Sequence, residues 1–133
     1  MAHTCTSAIV HCIDFRLQKA ITQYLQENNM LGDCDIISIA GAVKNTDFII
    51  EQVALSKKLH DIKQVVLINH TDCGAYGGSA AFANSTEEKN AHAAELKKTS
   101  MRIMEQFPDL KVIILFAEIA PDGNVRIAPA IHE

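Results

Sequence analysis

The chain has 133 residues, 48% of them hydrophobic, 21% charged and 5% aromatic, with no tryptophan. That length predicts one aliphatic core, so residues 1–133 are read as a single domain, and the composition excludes a disordered chain. A formal net charge of -4 excludes a basic surface built to neutralise nucleic-acid phosphates and leaves a small molecule as the expected partner.

In chain order, "SAIVHCI" (7–13) is an apolar run of the kind found in strands buried on both faces. "RLQKAITQYLQENNML" places Leu17, Ile21, Tyr24 and Leu25 on one helical face, with Gly32 as the expected stop. A second strand, "DIISIA" (35–40), precedes a helix in "TDFIIEQVALSKKLHD", with Thr46 as its cap, Asp47 in its first turn, and Ile49, Val53 and Leu59 as its apolar positions. "QVVLINH" (64–70) is a third strand. The helix after it is expected to open on a capping box of Ser85 and Glu88 and to end at Pro108. "KVIILFAEI" (111–119) is the fourth strand, and the Asp-Gly turn in "APDGNVRIAPAIHE" predicts a hairpin to an antiparallel edge.

Strands alternating with helices predict an α/β fold: a mostly parallel four-stranded sheet of order 2-1-3-4, flanked by helices, with a C-terminal antiparallel edge strand. No run approaches the ~18 apolar residues of a membrane span, and no leader pattern opens the chain, so a cytoplasmic protein is expected. The four cysteines are then expected to stay reduced, and burial or metal binding are their competing uses.

Ligands of open α/β sheets bind beyond the carboxyl ends of the strands. Cys12 falls at the end of the first strand, and His70 and Cys73 fall at the end of the third; order 2-1-3-4 makes those strands neighbours. Two thiolates and an imidazole suit zinc and leave a fourth tetrahedral position open. Cys12, Asp14 and Arg16 alternate, which puts them on one face of an extended strand, and the arginine keeps the aspartate charged. The plain alternative is a surface pair capping the following helix.

"CIDFR", "IAGAVKN" and "NHTDCG", in this order and spacing, resemble the β-class carbonic anhydrases from about residue 7 to residue 119. The resemblance implies that Cys12, His70 and Cys73 ligate Zn2+, that Asp14 and Arg16 form the catalytic dyad, and that Gly41 and Gly74 lie beside the substrate pocket. The activity implied is reversible hydration of CO2 to bicarbonate, in which zinc acidifies water and Asp14, held off the metal by Arg16, orients the nucleophile. A homodimer or higher homo-oligomer is implied as well.

Phe15 stands where the family usually has serine, Ala42 where it has asparagine, and Asn69 where it has glycine. With the first strand starting near residue 7, no room is expected before it for the family's N-terminal helices. Three other functions use the same residues: hydrolysis of carbonyl sulfide or carbon disulfide, zinc binding without catalysis, and a Cys73 nucleophile with His70 as its base. His11 and His92 are the histidines considered as proton carriers, with strand and surface positions as their plainer readings. Cys5 and Cys34 are read as thiols without ligand partners, Asp72 as a turn residue and Tyr76 as packing.

Overall fold

Continuous aliphatic runs need apolar cover on both faces, and helices on either side of one sheet supply it. The computed structural model describes residues 3–131. Its strands are β1 (Ser7–His11), β2 (Cys34–Ser38), β3 (Gln64–His70), β4 (Lys111–Ile119) and β5 (Val125–Pro129), and its α-helices are α1 (Gln18–Glu27), α2 (Thr46–His60) and α3 (Ser85–Gln106). The sheet runs β2-β1-β3-β4-β5. The first four strands are parallel, and β5 closes the edge antiparallel to β4.

Register sorts alternate side chains onto two layers. Ala8 and Val10 on β1 join Val65 and Leu67 on β3 in a core with Ile49 and Val53 of α2 and Leu96 and Ile103 of α3. Ile9, Val66 and Ile68 point the other way, against Leu17, Ile21 and Leu25 around α1. Each fully buried aliphatic side chain contributes about 1.5 to 3 kcal/mol, so the central strands hold the sheet.

Several boundaries differ from expectation, each through a local hydrogen bond. β1 stops at His11 because the Asp14 carboxylate accepts the Arg16 N–H at 2.9 Å and starts a 3-10 turn over Phe15–Leu17. Cys12, Asp14 and Arg16 therefore do not share a strand face. β2 spans Cys34–Ser38, starting one residue earlier than expected and ending two earlier, and Gly41 then turns the chain at φ +81°. α1 stops at Glu27, short of Gly32; Asn28 donates its amide to the Tyr24 carbonyl, and Asn29 adopts φ +55°.

Thr46 does not cap α2, since its hydroxyl donates to the Val43 carbonyl at 2.7 Å, and Leu59 is 59% exposed rather than buried. Asn84, not Ser85, caps α3 by accepting the Glu87 N–H at 2.9 Å. That one-residue shift frees Glu88 to turn inward. The expected hairpin forms around Gly123 at φ +89°, with Ala120 N–H bonded to the Asn124 carbonyl at 2.8 Å; its last residues, 132 and 133, lie outside those described. No α-helix among the described residues is long and apolar enough to cross a membrane.

Candidate metal centre

The carboxyl ends of β1 and β3 lie side by side because Val10 and Leu67 are register partners. The chain leaves β1 directly into Cys12 and leaves β3 through His70 into a turn that carries Cys73. Their sulfurs sit 4.0 Å apart, both residues buried. The Gly41 N–H points at the Cys12 sulfur at 3.4 Å. Close approach requires glycine there: a Cβ would meet the Ala75 Cβ at 2.9 Å, and φ is positive. A Cβ on Gly74 would meet no heavy atom within 4 Å, so close packing is not what places a glycine beside Cys73.

His70 is buried, and its Nδ1 donates to the Thr71 carbonyl at 2.7 Å. That bond puts the proton on Nδ1 and leaves Nε2 as a lone-pair donor. Nε2 is buried without a hydrogen-bond partner among the described residues, which is costly unless something else fills the position. One donor atom from each of Cys12, His70 and Cys73 lies within 4.8 Å of the other two. Sulfur, sulfur and imidazole nitrogen fit zinc.

The two thiols act as a pair. The Cys73 S–H, followed by the Gly41 N–H, favours the Cys12 thiolate and pushes its pKa down; that thiolate and burial push Cys73 up. The two sulfurs thus compete for a proton, which a bound cation would displace.

Asp14 approaches from the β1 side, its Oδ2 3.9 Å from His70 Nε2. Arg16 grips it with Nη2 at 2.7 Å and Nε at 3.0 and 3.2 Å, besides its backbone N–H. The Arg16 hydrogen bonds hold the Asp14 carboxyl down at about 2. Arg16 is itself held from the far side, where Nη2 donates to the Asp72 carbonyl at 2.9 Å and Nη1 to the Asp72 carboxylate at 3.4 Å.

Asp72 is therefore more than a turn residue. It sits at φ +56°, its carboxylate accepts the Ser79 N–H at 2.8 Å, and its own N–H donates to Glu88 at 2.9 Å. Glu88, only 3% exposed, also accepts the Ser79 hydroxyl at 2.9 Å. Through this brace α3 fixes the loop between the two β3-side donors. Glu88 and His92 belong to an inward stripe with Leu96, Thr99 and Ile103; that helical spacing was the sequence signal for them, hidden by the charged residues around it.

His92 is 1% exposed, which corrects its surface placement. The Asn69 amide donates to its Nδ1 at 2.9 Å and to the Tyr76 hydroxyl at 3.1 Å, and the Tyr76 ring packs edge-on with centroids 4.5 Å apart. Burial pushes the imidazole down to about 4, so a proton-carrying role at neutral pH does not suit it. His11 instead borders solvent beside Cys12, Ile13, Asp14 and Phe15, in an open cleft of about 370 Å³.

A family model described as "Putative carbonic anhydrase" matches residues 2–127. The chain belongs to this carbonic anhydrase family. It is 33% identical over 119 residues to an uncharacterized protein of Rickettsia bellii, covering 80% of this chain and 73% of the relative. An uncharacterized protein of Rickettsia conorii is 31% identical over 119 residues, and there the match spans 64% of the relative. Beta-carbonic anhydrase 1 of Mycobacterium tuberculosis is 37% identical over 67 residues, 50% of this chain and 38% of the relative.

Carbonic anhydrase structures share the fold. That of Streptococcus mutans superposes with a TM-score of 0.64 at 23% identity, over 95% of this chain and 82% of that one. That of Glaciozyma antarctica gives 0.60 at 19% identity, over 96% and 83%. Beside the Asp14–Arg16 pair the ring of Phe15 stands 85% exposed.

Proposed function

We propose that the chain is a zinc-dependent carbonic anhydrase interconverting CO2 and bicarbonate, with Cys12, His70 and Cys73 as the metal ligands and Asp14 and Arg16 as the dyad. The observation that carries this reading is the buried, unpartnered Nε2 of His70, which converges with two paired thiols beside a carboxylate held by arginine. Bound zinc would supply a Lewis acid and lower the pKa of water into the neutral range. The remaining work falls to the chain's own residues.

Asp14 stays ionised under the grip of Arg16 and accepts a hydrogen bond from the attacking water, which orients its lone pair. The same grip keeps the carboxylate from becoming a fourth ligand. Arg16 can do this because Asp72 holds the other edge of its guanidinium. The Gly41 N–H steadies the Cys12 sulfur. Gly41 and Gly74 are in this reading walls of the pocket.

Ile13, Phe15 and Ile36 expose apolar surface around the cleft, a patch suited to cover by a second copy of the chain in a homodimer. A cytoplasmic setting fits the four free thiols. Phe15 favours one second reading, hydrolysis of carbonyl sulfide or carbon disulfide, because its exposed ring adds apolar surface beside the dyad. Assaying the purified zinc-loaded protein for CO2 hydration and for sulfide release decides between them. Hydration is expected; sulfide release without hydration transfers the assignment, and neither activity overturns both.

A further inference from the structure

A second cluster of metal-binding side chains lies at the other end of the sheet. Cys5 precedes β1, Asp35 is near the start of β2, and His60 ends α2, whereas Cys12, His70 and Cys73 follow the carboxyl ends of β1 and β3. The Cys5 N–H donates to the His60 carbonyl at 3.1 Å, so main chain fixes these two residues side by side. Asp35 faces them from β2: its Oδ2 accepts His60 Nδ1 at 2.7 Å and the Ser56 hydroxyl at 2.6 Å. One thiol sulfur, one carboxylate oxygen and one imidazole nitrogen lie within 4.8 Å of one another, all half-buried.

The surroundings favour a cation. Asp33, bonded to the Thr6 N–H at 3.1 Å, adds negative charge beside Asp35, and among the described residues no lysine or arginine pairs with Asp35. His60 also stands at the carboxyl end of α2, the negative end of the helix dipole. Burial and the nearby Asp35 keep the Cys5 thiol protonated, which argues against a free thiolate nucleophile there. An ion pair between Asp35 and His60 alone would have no use for the sulfur.

We propose that Cys5, Asp35 and His60 form a second site, for a thiophilic divalent transition metal such as zinc. Sulfur, nitrogen and oxygen donors together suit zinc and disfavour calcium and magnesium, which take oxygen ligands. Cys5 binds as thiolate, its thiol proton passing to solvent, and His60 binds as neutral imidazole with its proton on the other ring nitrogen. Ser56 keeps its bond to Asp35 and orients it. Solvent completes the coordination. The metal would tie the segment before β1 and the end of α2 to the β2 edge, stabilising the fold by mass action.

This site does not depend on the proposed carbonic anhydrase activity. The test strips the protein of metal with chelator, equilibrates it against micromolar free zinc and measures metal per chain. The parent is expected to hold one equivalent more than Cys5→Ser and one more than His60→Ala; equal loading of the parent and Cys5→Ser overturns the proposal. A Cys12→Ser, Cys73→Ser protein loaded with cobalt(II) gives a second reading that excludes the other centre. Sulfur-to-cobalt absorption that disappears on adding Cys5→Ser supports the site, and absence of that absorption sinks it.

Discussion

His92 couples the fold beneath the candidate centre to pH. Its imidazole is 1% exposed and surrounded by Tyr76, Phe82 and Phe116, and burial lowers its pKa from 6.5 to about 4. Because the folded value lies below the unfolded one, the stabilisation is complete above pH 6.5 and is lost as pH falls toward about 4. Between pH 6.5 and about 5 the unfolded chain takes up a proton that the folded chain refuses. At about 1.4 kcal/mol per pH unit this removes about 2 kcal/mol of stability. Urea unfolding of metal-free protein, run at about pH 7.5 and about pH 5, measures the loss. His92→Gln keeps an acceptor for the Asn69 amide but cannot titrate, so its loss should be smaller than the parent's by that amount. Equal losses in parent and variant would refute the buried, neutral histidine.

Other perturbations address the site itself. Arg16→Met should let the Asp14 carboxyl climb from about 2 toward its ordinary 3.8 and lower CO2 hydration by about a hundredfold through misplacement; activity within about twofold of the parent, with zinc retained, would remove Arg16 from the dyad. Glu88→Ala leaves the Asp72 N–H and Ser79 hydroxyl without their buried acceptor and should destabilise by about 2 to 4 kcal/mol, while Glu88→Gln, which keeps an acceptor, loses less. An unchanged denaturation midpoint in Glu88→Ala would show that the brace is not needed. Gly41→Ala must place a Cβ 2.9 Å from that of Ala75 at positive φ, so a cost of about 1 to 3 kcal/mol and weaker zinc retention are expected; retention equal to the parent's by chelator competition would contradict the close approach.

Much of this arrangement is legible in the sequence. β3 and β4 match their apolar runs residue for residue because both are central and covered on two faces. Cys12, His70 and Cys73 converge as strand order alone requires, since parallel neighbours bring their carboxyl ends together. What the chain order conceals is polarity that tertiary contacts pull inside. Glu88 and His92 look like surface residues on a charged helix, yet Asp72, Ser79 and Asn69 supply them with partners from distant segments. Cys5 has no ligand at motif spacing, because its neighbours come from β2 and the end of α2. The Asp14 turn was hidden for another reason: alternation suggests a strand, but a carboxylate two residues before a free N–H bends the chain instead.

If Cys12, His70 and Cys73 hold zinc, metal content reports it. The Cys5→Ser protein, which leaves only the Cys12 centre, should retain one zinc per chain after exhaustive dialysis, and adding Cys12→Ser should abolish that retention together with CO2 hydration. Full retention of zinc after loss of the Cys12 sulfur would contradict the three-ligand centre and the function built on it.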